Sequence, residues 1–144
     1  MTVIFFYLLG IVGGSASALQ STVNGRLGTL VGPLNAAVVS TTIGLCSLLT
    51  YSLVTRQLAV GQAVKSPPVL LIGGALGAFF VTSVIYVVPR LGVVTAVVLA
   101  ILGQLVVAAL ADQFGLFGNA RVQLSPARAI GIVLVLAGFA LARA

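Results

Sequence analysis

The side chains that could take part in chemistry are few, and most of them are amides and hydroxyls. The sequence contains no histidine, one cysteine (Cys46) and one acidic residue (Asp112). General acid–base catalysis, cysteine–histidine catalysis and metal sites all need more ionisable or metal-binding groups than these. We therefore expect no enzyme, no metal and no cofactor, and the candidates for function are hydrogen-bonding side chains.

Three amide side chains lie in strongly apolar surroundings. Gln20 and Asn24 are four residues apart, so on a helix they share one face. Gln104 lies near the middle of residues 92–112, an almost unbroken apolar segment. An amide near the middle of a bilayer costs free energy unless it finds a partner. We expect these amides to hydrogen-bond either a substrate or a neighbouring helix.

Hydroxyl groups accompany the amides. We expect them to line the path to a substrate, and we expect Tyr86 to lie either at the membrane interface or in a cavity. The alternative is that these small polar residues only pack helix against helix, as they commonly do in membranes. The candidate substrate-binding residues are Gln20, Asn24, Gln104, Ser17, Ser40, Thr41 and Tyr86.

The composition places these residues in a membrane. Sixty per cent of the residues are hydrophobic and 6% are charged, whereas soluble domains carry roughly 25% charged residues. The net charge of +6 comes from basic residues that are scattered singly, unlike the clustered basic patches of nucleic-acid-binding proteins. We expect the basic residues to contact lipid head groups, and we expect no nucleic-acid partner.

Apolar segments long enough to cross a hydrocarbon layer of about 30 Å recur along the chain. They predict an all-α integral membrane protein with a single transmembrane domain over residues 1–144. The five predicted helices cover approximately residues 2–24, 33–55, 69–88, 92–112 and 127–142.

Turn-forming residues set the predicted helix limits. The Gly-rich residues 24–33 predict a tight connection, and Pro89 predicts the end of the third helix. Ser125 followed by Pro126 predicts the start of the fifth helix, with Ser125 as its N-cap. Small residues at 16–18 match a signal-peptidase site, but no basic residue precedes the apolar run, so we expect a retained first helix.

Glycines four residues apart predict close helix packing in lipid. Gly10 and Gly14 mark such a face on the first predicted helix, and Gly73 and Gly77 mark one on the third. The fifth predicted helix is at the short limit for a membrane span and is apolar on all sides. We expect it to face lipid or a dimer partner.

Five spans put the two termini on opposite sides of the membrane. The seven basic residues then divide four to three between the sides, so the preference of Lys and Arg for the cytoplasm selects no orientation. Two copies inserted in opposite orientations would form an antiparallel, dual-topology homodimer of ten helices with the inverted-repeat symmetry of secondary transporters. The polar residues lie mostly toward one side, so an inverted partner would complete the polar path near Gln104.

Asp112 lies at the end of the fourth predicted helix. It is the candidate for coupling transport to protons, because a carboxylate drawn into the membrane can bind a proton. The alternative is an ion pair with Arg121 or Arg128 in the connection that follows.

The order of these motifs resembles the small five-helix bacterial branch of the drug/metabolite transporter (DMT) superfamily. The resemblance covers nearly the whole chain: Gln20-x3-Asn24-x2-Leu27 before Gly32-Pro33, then Ser40-x3-Gly44, Gly73-Gly74-x2-Gly77-Ala78 and Gly103-Gln104-x7-Asp112-x-Phe114-Gly115. It implies a multi-pass transporter of the bacterial inner membrane whose length equals one repeat of the ten-helix members. The related four-helix multidrug exporters use a Glu in the middle of their first helix, and this sequence has none there.

The sequence therefore predicts a secondary transporter subunit that moves a small polar or anionic metabolite by alternating access. Arg26, near the mouth of the polar path, favours an uncharged or anionic substrate over a cation. The alternatives are a non-transporting accessory or assembly protein of the membrane and a cation or drug exporter of the small multidrug type. The expected partners are membrane lipid, a small-molecule substrate and a second copy of the chain.

Overall fold

The computed structural model describes residues 2–142, and every regular element in that range is helical. Short 3-10 turns at Pro68–Leu71 and Leu116–Gly118 precede the fourth α-helix and follow the fifth. The predicted all-α class is confirmed. The helices are α1 (Thr2–Val31), α2 (Pro33–Val54), α3 (Val60–Val64), α4 (Ile72–Leu91), α5 (Val93–Phe114) and α6 (Pro126–Ala142).

Four helical segments of the described chain are long and apolar enough to cross a membrane. α6 has 17 residues, which corresponds to about 25 Å at 1.5 Å per residue, short of a typical hydrocarbon layer. Length and composition thus support four of the five predicted spans, and the crossing by α6 stays a prediction. The four segments are Val3–Val31, Pro33–Val54, Pro68–Leu91 and Val93–Phe114.

The first helix is longer than predicted. The sequence predicted a turn over residues 24–33, but α1 continues as a helix to Val31. The break falls at Gly32 alone, whose φ of +87° is a backbone conformation that glycine adopts readily. Gly32 donates its N–H to the carbonyl of Gly28 at 3.1 Å, and Pro33 then occupies the first turn of α2. The glycines before residue 32 are helical, so their role is in packing and not in a turn.

Pro89 does not end its helix, contrary to the sequence prediction. It lies in the last turn of α4, which continues to Leu91, although a proline there lacks the N–H that would bond to the preceding turn. The helix ends at Gly92, which has a φ of +80° and donates its N–H to the carbonyl of Val88 at 2.9 Å. A glycine with positive φ, a conformation that other residues rarely adopt, sets this limit.

The start of α6 agrees with the sequence prediction. The backbone N–H of Arg128 donates to Oγ of Ser125 at 3.3 Å, and Pro126 is the first residue of the helix. The side chain of Ser125 therefore satisfies one of the backbone donors that a helix start leaves without an intrahelical partner.

By its internal contacts the chain divides into two compact units, Met1–Val93 and Val94–Ala144, called here the first and second units. In the first unit α1, α2 and α4 contact one another in all three pairings. Their common core is small, as expected where helices approach closely in lipid. The core consists of buried Ala36, Ala37 and Ile85, with Leu27 and Val81 packed against it.

Two glycines of α1 permit its contact with α4. A Cβ added at Gly25 would lie 2.5 Å from Cγ1 of Val88, and one added at Gly28 would collide with Cγ2 of Ile85. Any side chain at these positions would push the two helices apart. Gly25 and Gly28 are therefore the packing glycines of the first unit.

The four glycines that the sequence selected for packing lie elsewhere. A Cβ added at Gly10, Gly14, Gly73 or Gly77 would meet no heavy atom of the first unit within 4 Å. Spacing alone does not place a glycine against a neighbour, because the contact also needs a side chain opposite it. A role for these four residues against another chain stays a prediction.

Candidate functional site

A hydrogen bond between two side chains joins α1 to α2 inside the first unit. Asn24 is 7% exposed and donates from Nδ2 to Oγ of Ser40 at 2.8 Å. An amide buried without a partner would cost free energy. The hydrogen bond to Ser40 offsets this cost and explains why Asn24 can be buried where α1 meets α2. Both residues were predicted as site residues, and the structure brings them together.

A small recess lies beside Asn24. Its volume is about 10 Å³, close to that of one water-sized sphere. Gln20, one turn before Asn24 on α1, is an exposed residue and also lines the recess. Two amide-bearing residues therefore line the same recess. It is lined by Gln20, Ser21, Asn24, Phe80, Val81 and Val84.

Ser21 is a buried polar residue of this region that was not among the predicted substrate-binding residues. It is 6% exposed, and its hydroxyl donates to the carbonyl of Ser17 at 2.8 Å. In the sequence, Ser21 directly follows Gln20 and lies four positions after Ser17, and this spacing could have identified it. Because a hydroxyl in an apolar helix can bond back to its own backbone, Ser21 is satisfied locally.

The remaining predicted residues of the first unit lie around this junction in different settings. Thr41 donates its hydroxyl to the carbonyl of Ala37 at 2.7 Å, within its own helix. Tyr86 is 44% exposed, and its ring centroid lies 5.7 Å from Cζ of Arg90. This cation–π contact near the end of α4 is typical of an interfacial aromatic. The choice between the interfacial and the cavity interpretation of Tyr86 stays a prediction.

Gln104 belongs to the second unit. It lies on α5 with its side chain exposed. A shared site with the amides of α1 stays a prediction.

Asp112 forms an ion pair in the second unit. Its Oδ2 lies 3.4 Å from Nη1 of Arg128, and the two side chains are 50% and 52% exposed. Of the two partners that the sequence left open, the structure selects Arg128. Arg121 instead donates from Nε to the carbonyl of Gln113 at 2.8 Å. An ion pair so exposed is worth little to stability, and proton coupling at Asp112 stays a prediction.

An apolar cleft of about 450 Å³ lies between α5 and α6, with the ion pair among its lining residues. The sequence reasoning missed it, although each helix carries a signal, namely lining residues three or four positions apart on one face. Among the described residues, no group of three or more His, Cys, Asp or Glu could hold a metal ion. The helical lining is Leu105, Ala108, Ala109 and Asp112 from α5, and Arg128, Gly131, Ile132 and Val135 from α6.

Comparison with known proteins identifies a family. No curated protein matches the chain, and no solved structure matches it. A family model described as "Putative inner membrane exporter, YdcZ" matches residues 5–141. The match covers nearly the whole chain and confirms the family recognition drawn from the sequence motifs. It points to a transporter rather than an enzyme, and together with the four apolar helices it supports a multi-pass protein of the inner membrane. The chain belongs to the DMT_YdcZ family, whose description is that of an inner membrane exporter.

Proposed function

We propose that this chain is one half of a secondary transporter that exports a small polar or anionic metabolite by alternating access. The observation that carries the proposal is the buried Asn24–Ser40 hydrogen bond beside a recess that Gln20 also lines. A membrane helix that carries two neighbouring amides incurs a desolvation cost that a substrate site would explain. The exporter description of the family supports the same conclusion.

The amides recognise the substrate through hydrogen bonds. Asn24 uses one of its amide donors on Ser40, which leaves a second donor and the carbonyl oxygen for a ligand. Gln20 is exposed and offers a complete amide. In this proposal Ser17 and Thr41 line the path.

Charge selects the substrate class. The only acidic residue of the sequence is Asp112, so residues 1–93 contain no carboxylate side chain. Arg26 follows Asn24 by two residues on α1 and is exposed. An uncharged or anionic compound is therefore favoured over a cation. Arg26→Glu should weaken export of an anion and leave export of a neutral compound little changed, and unchanged anion export would refute this electrostatic contribution.

The second half of the transporter is a second copy inserted in the opposite orientation. The proposal takes α6 as a fifth span and rests on the nearly even division of basic residues between the two sides. Alternating access then follows from rocking of the two inverted halves around a site near the midplane. Asp112 would be the group that couples transport to protons.

The test is ligand-induced stabilisation of the purified protein. A panel of neutral and anionic metabolites is screened by thermal unfolding, because a ligand that binds only the folded state at 100 times its Kd adds about 2.7 kcal/mol. We expect at least one such compound to stabilise the wild type and not Gln20→Ala. Gln57→Ala is the matched control, since Gln57 is also an exposed amide but lies in the connection after α2.

The alternatives give different results in the same screen. An accessory or assembly protein would show no stabilisation by any compound, and a multidrug-type exporter would be stabilised by organic cations only. Either result would contradict the proposal. A stabilising compound should also accumulate in inside-out vesicles that contain the wild type, and less in vesicles that contain Gln20→Ala.

A further inference from the structure

The cleft between α5 and α6 has a charged end and an apolar length. Asp112 lies in the last turns of α5, and Arg128 lies in the first turn of α6. From these residues the lining continues for two helical turns to Leu105 on α5 and Val135 on α6, which is about 10 Å at 1.5 Å per residue. The cleft thus has the polarity of an amphiphile, with a charged head and an apolar tail.

The surroundings of the charged end carry a net positive charge. Arg128 and Asp112 line the cleft, and Arg121, which does not line it, is held nearby by its bond to the carbonyl of Gln113, the residue after Asp112. Two cations and one carboxylate leave one positive charge to be neutralised. The guanidinium of Arg128 has five N–H donors. Its Nη1 donates to Oδ2 of Asp112 over a long distance of 3.4 Å. It can therefore bind an anionic head group in addition to Asp112.

The position of the cleft along its two helices indicates where the occupant comes from. The charged end lies at the ends of two apolar helices, and the ends of membrane helices are where lipid head groups contact a protein. The remainder of the cleft runs along those helices. A helix from a second copy would cover the ion pair with apolar side chains and leave two charges desolvated without new partners. A lipid supplies a charge and a hydrocarbon chain together.

We propose that the α5–α6 cleft binds an anionic phospholipid, with its phosphate on the guanidinium of Arg128 and one acyl chain along Gly131 and Ile132. Basic pockets between membrane helices bind anionic lipid head groups in this way. The volume of about 450 Å³ lies within the range of ligand-binding cavities. The inference does not depend on the amide site of the first unit.

The test measures lipid binding by native mass spectrometry of the full chain in detergent. Phosphatidylglycerol and phosphatidylcholine of the same chain length are titrated separately. We expect phosphatidylglycerol to bind the wild type at least about tenfold more tightly, a difference of about 1.4 kcal/mol. Arg128→Gln should remove that preference, and Arg128→Lys should keep part of it, because lysine keeps the charge but lacks the planar donor fork.

A second pair of variants tests the apolar part of the cleft without changing charge. A Cβ added at Gly131 or Gly103 meets nothing within 4 Å, so a leucine at either position causes no clash at the backbone. Gly131 lines the cleft, whereas Gly103 lies on the opposite face of α5 at 100° per residue. We expect Gly131→Leu to lose the tightly bound phosphatidylglycerol and Gly103→Leu to keep it.

Three results would overturn the inference. The first is equal binding of the two lipids to the wild type. The second is unchanged phosphatidylglycerol binding in both Arg128→Gln and Gly131→Leu. The third is binding of decanoate, as a free anionic amphiphile, that phosphatidylglycerol does not displace, since the cleft would then take a free ligand. Thermal unfolding of each variant shows whether it is folded. If Arg128→Gln is not folded, the Gly131→Leu result alone decides.

Discussion

The two units differ in how far their paired polar side chains are buried. In the first unit a polar side chain, Asn24, is buried where α1 meets α2 and is satisfied by Ser40 at 2.8 Å. In the second unit the charged pair Asp112 and Arg128 is half exposed at the end of an open cleft. The first arrangement fixes α1 against α2 and leaves the remaining amide groups of Asn24 beside a small recess, whereas the second leaves a charged pair at the end of an open cleft.

The difference follows from what lipid does to helix packing. Apolar surface gains little by moving from lipid to a helix contact, because acyl chains are as apolar as leucine. Close packing of small residues and interhelical hydrogen bonds therefore decide which helices associate. The first unit has both, at Gly28 and at Asn24, so we expect substitutions there to cost the most stability.

The largest expected effect is that of Gly28→Leu. A Cβ at residue 28 already collides with Ile85, so the larger side chain must separate α1 from α4, at a cost of about 3 kcal/mol. The measurement is the unfolding free energy in mixed micelles titrated with a denaturing detergent. Gly131→Leu, made in open space, is the matched control; it carries the same change in helix propensity without a clash and should not lower stability by more than about 0.5 kcal/mol. An equal loss of unfolding free energy in the two variants would show that the two units do not differ in how tightly their helices pack.

Ile85→Ala should have the next largest effect. Ile85 is fully buried, so truncation leaves a cavity, and we expect a loss of about 2 kcal/mol in the same assay. Val133 on α6 is 60% exposed, and Val133→Ala should cost less than about 0.5 kcal/mol. A larger loss for Val133→Ala would show that α6 packs tightly in the functional protein.

The hydrogen bond between Asn24 and Ser40 should contribute a smaller, measurable amount. A double-mutant cycle of Asn24→Ala and Ser40→Ala should give a coupling energy of about 0.6–1.7 kcal/mol. The control cycle pairs Asn24→Ala with Thr22→Ala, because the Thr22 hydroxyl bonds only to Ala18 in its own helix. Coupling as large in the control as in the first cycle would mean that the bond itself is not what is measured.

The smallest expected effect is that of the ion pair. Both side chains are half exposed, so a cycle of Asp112→Asn and Arg128→Gln should give about 0–0.5 kcal/mol, decreasing with added salt. A salt-independent coupling above about 1 kcal/mol would show that the pair is desolvated in the membrane. The open description of the second unit would then be wrong.

The membrane character and the approximate spans were predictable because the length and hydropathy of the apolar segments indicate them directly. The helix limits near Gly25 and Pro89 were not, since a glycine or proline can mark a turn or lie within a helix, and the sequence reasoning chose the turn in both places. Gly32 follows the last residue of α1 and ends that helix, whereas Gly28 lies within it. Gly32 has a φ of +87° and is followed by Pro33 at the start of α2, whereas Gly28 is helical and has Ile85 packed opposite it.

The candidate site was predictable in part. The four-residue spacing of Gln20 and Asn24 on one helix indicated a shared polar face, and the recess contains both. The bond from Asn24 to Ser40 was not derivable from spacing, because it depends on how α2 lies against α1. The choice of Arg128 over Arg121 as the partner of Asp112 likewise depends on where the first turn of α6 lies.

The central claim is that one chain supplies both halves of the exporter by inserting in two orientations, and labelling of a single cysteine tests it most directly. Lys65 is exposed in the connection between α3 and α4. Lys65→Cys is made in a Cys46→Ser background, since Cys46 is the one native cysteine, and a membrane-impermeant maleimide is applied from each side of sealed vesicles. The account predicts that each side labels about half of the protein, as the nearly even division of basic residues implies. Labelling from one side only would contradict it.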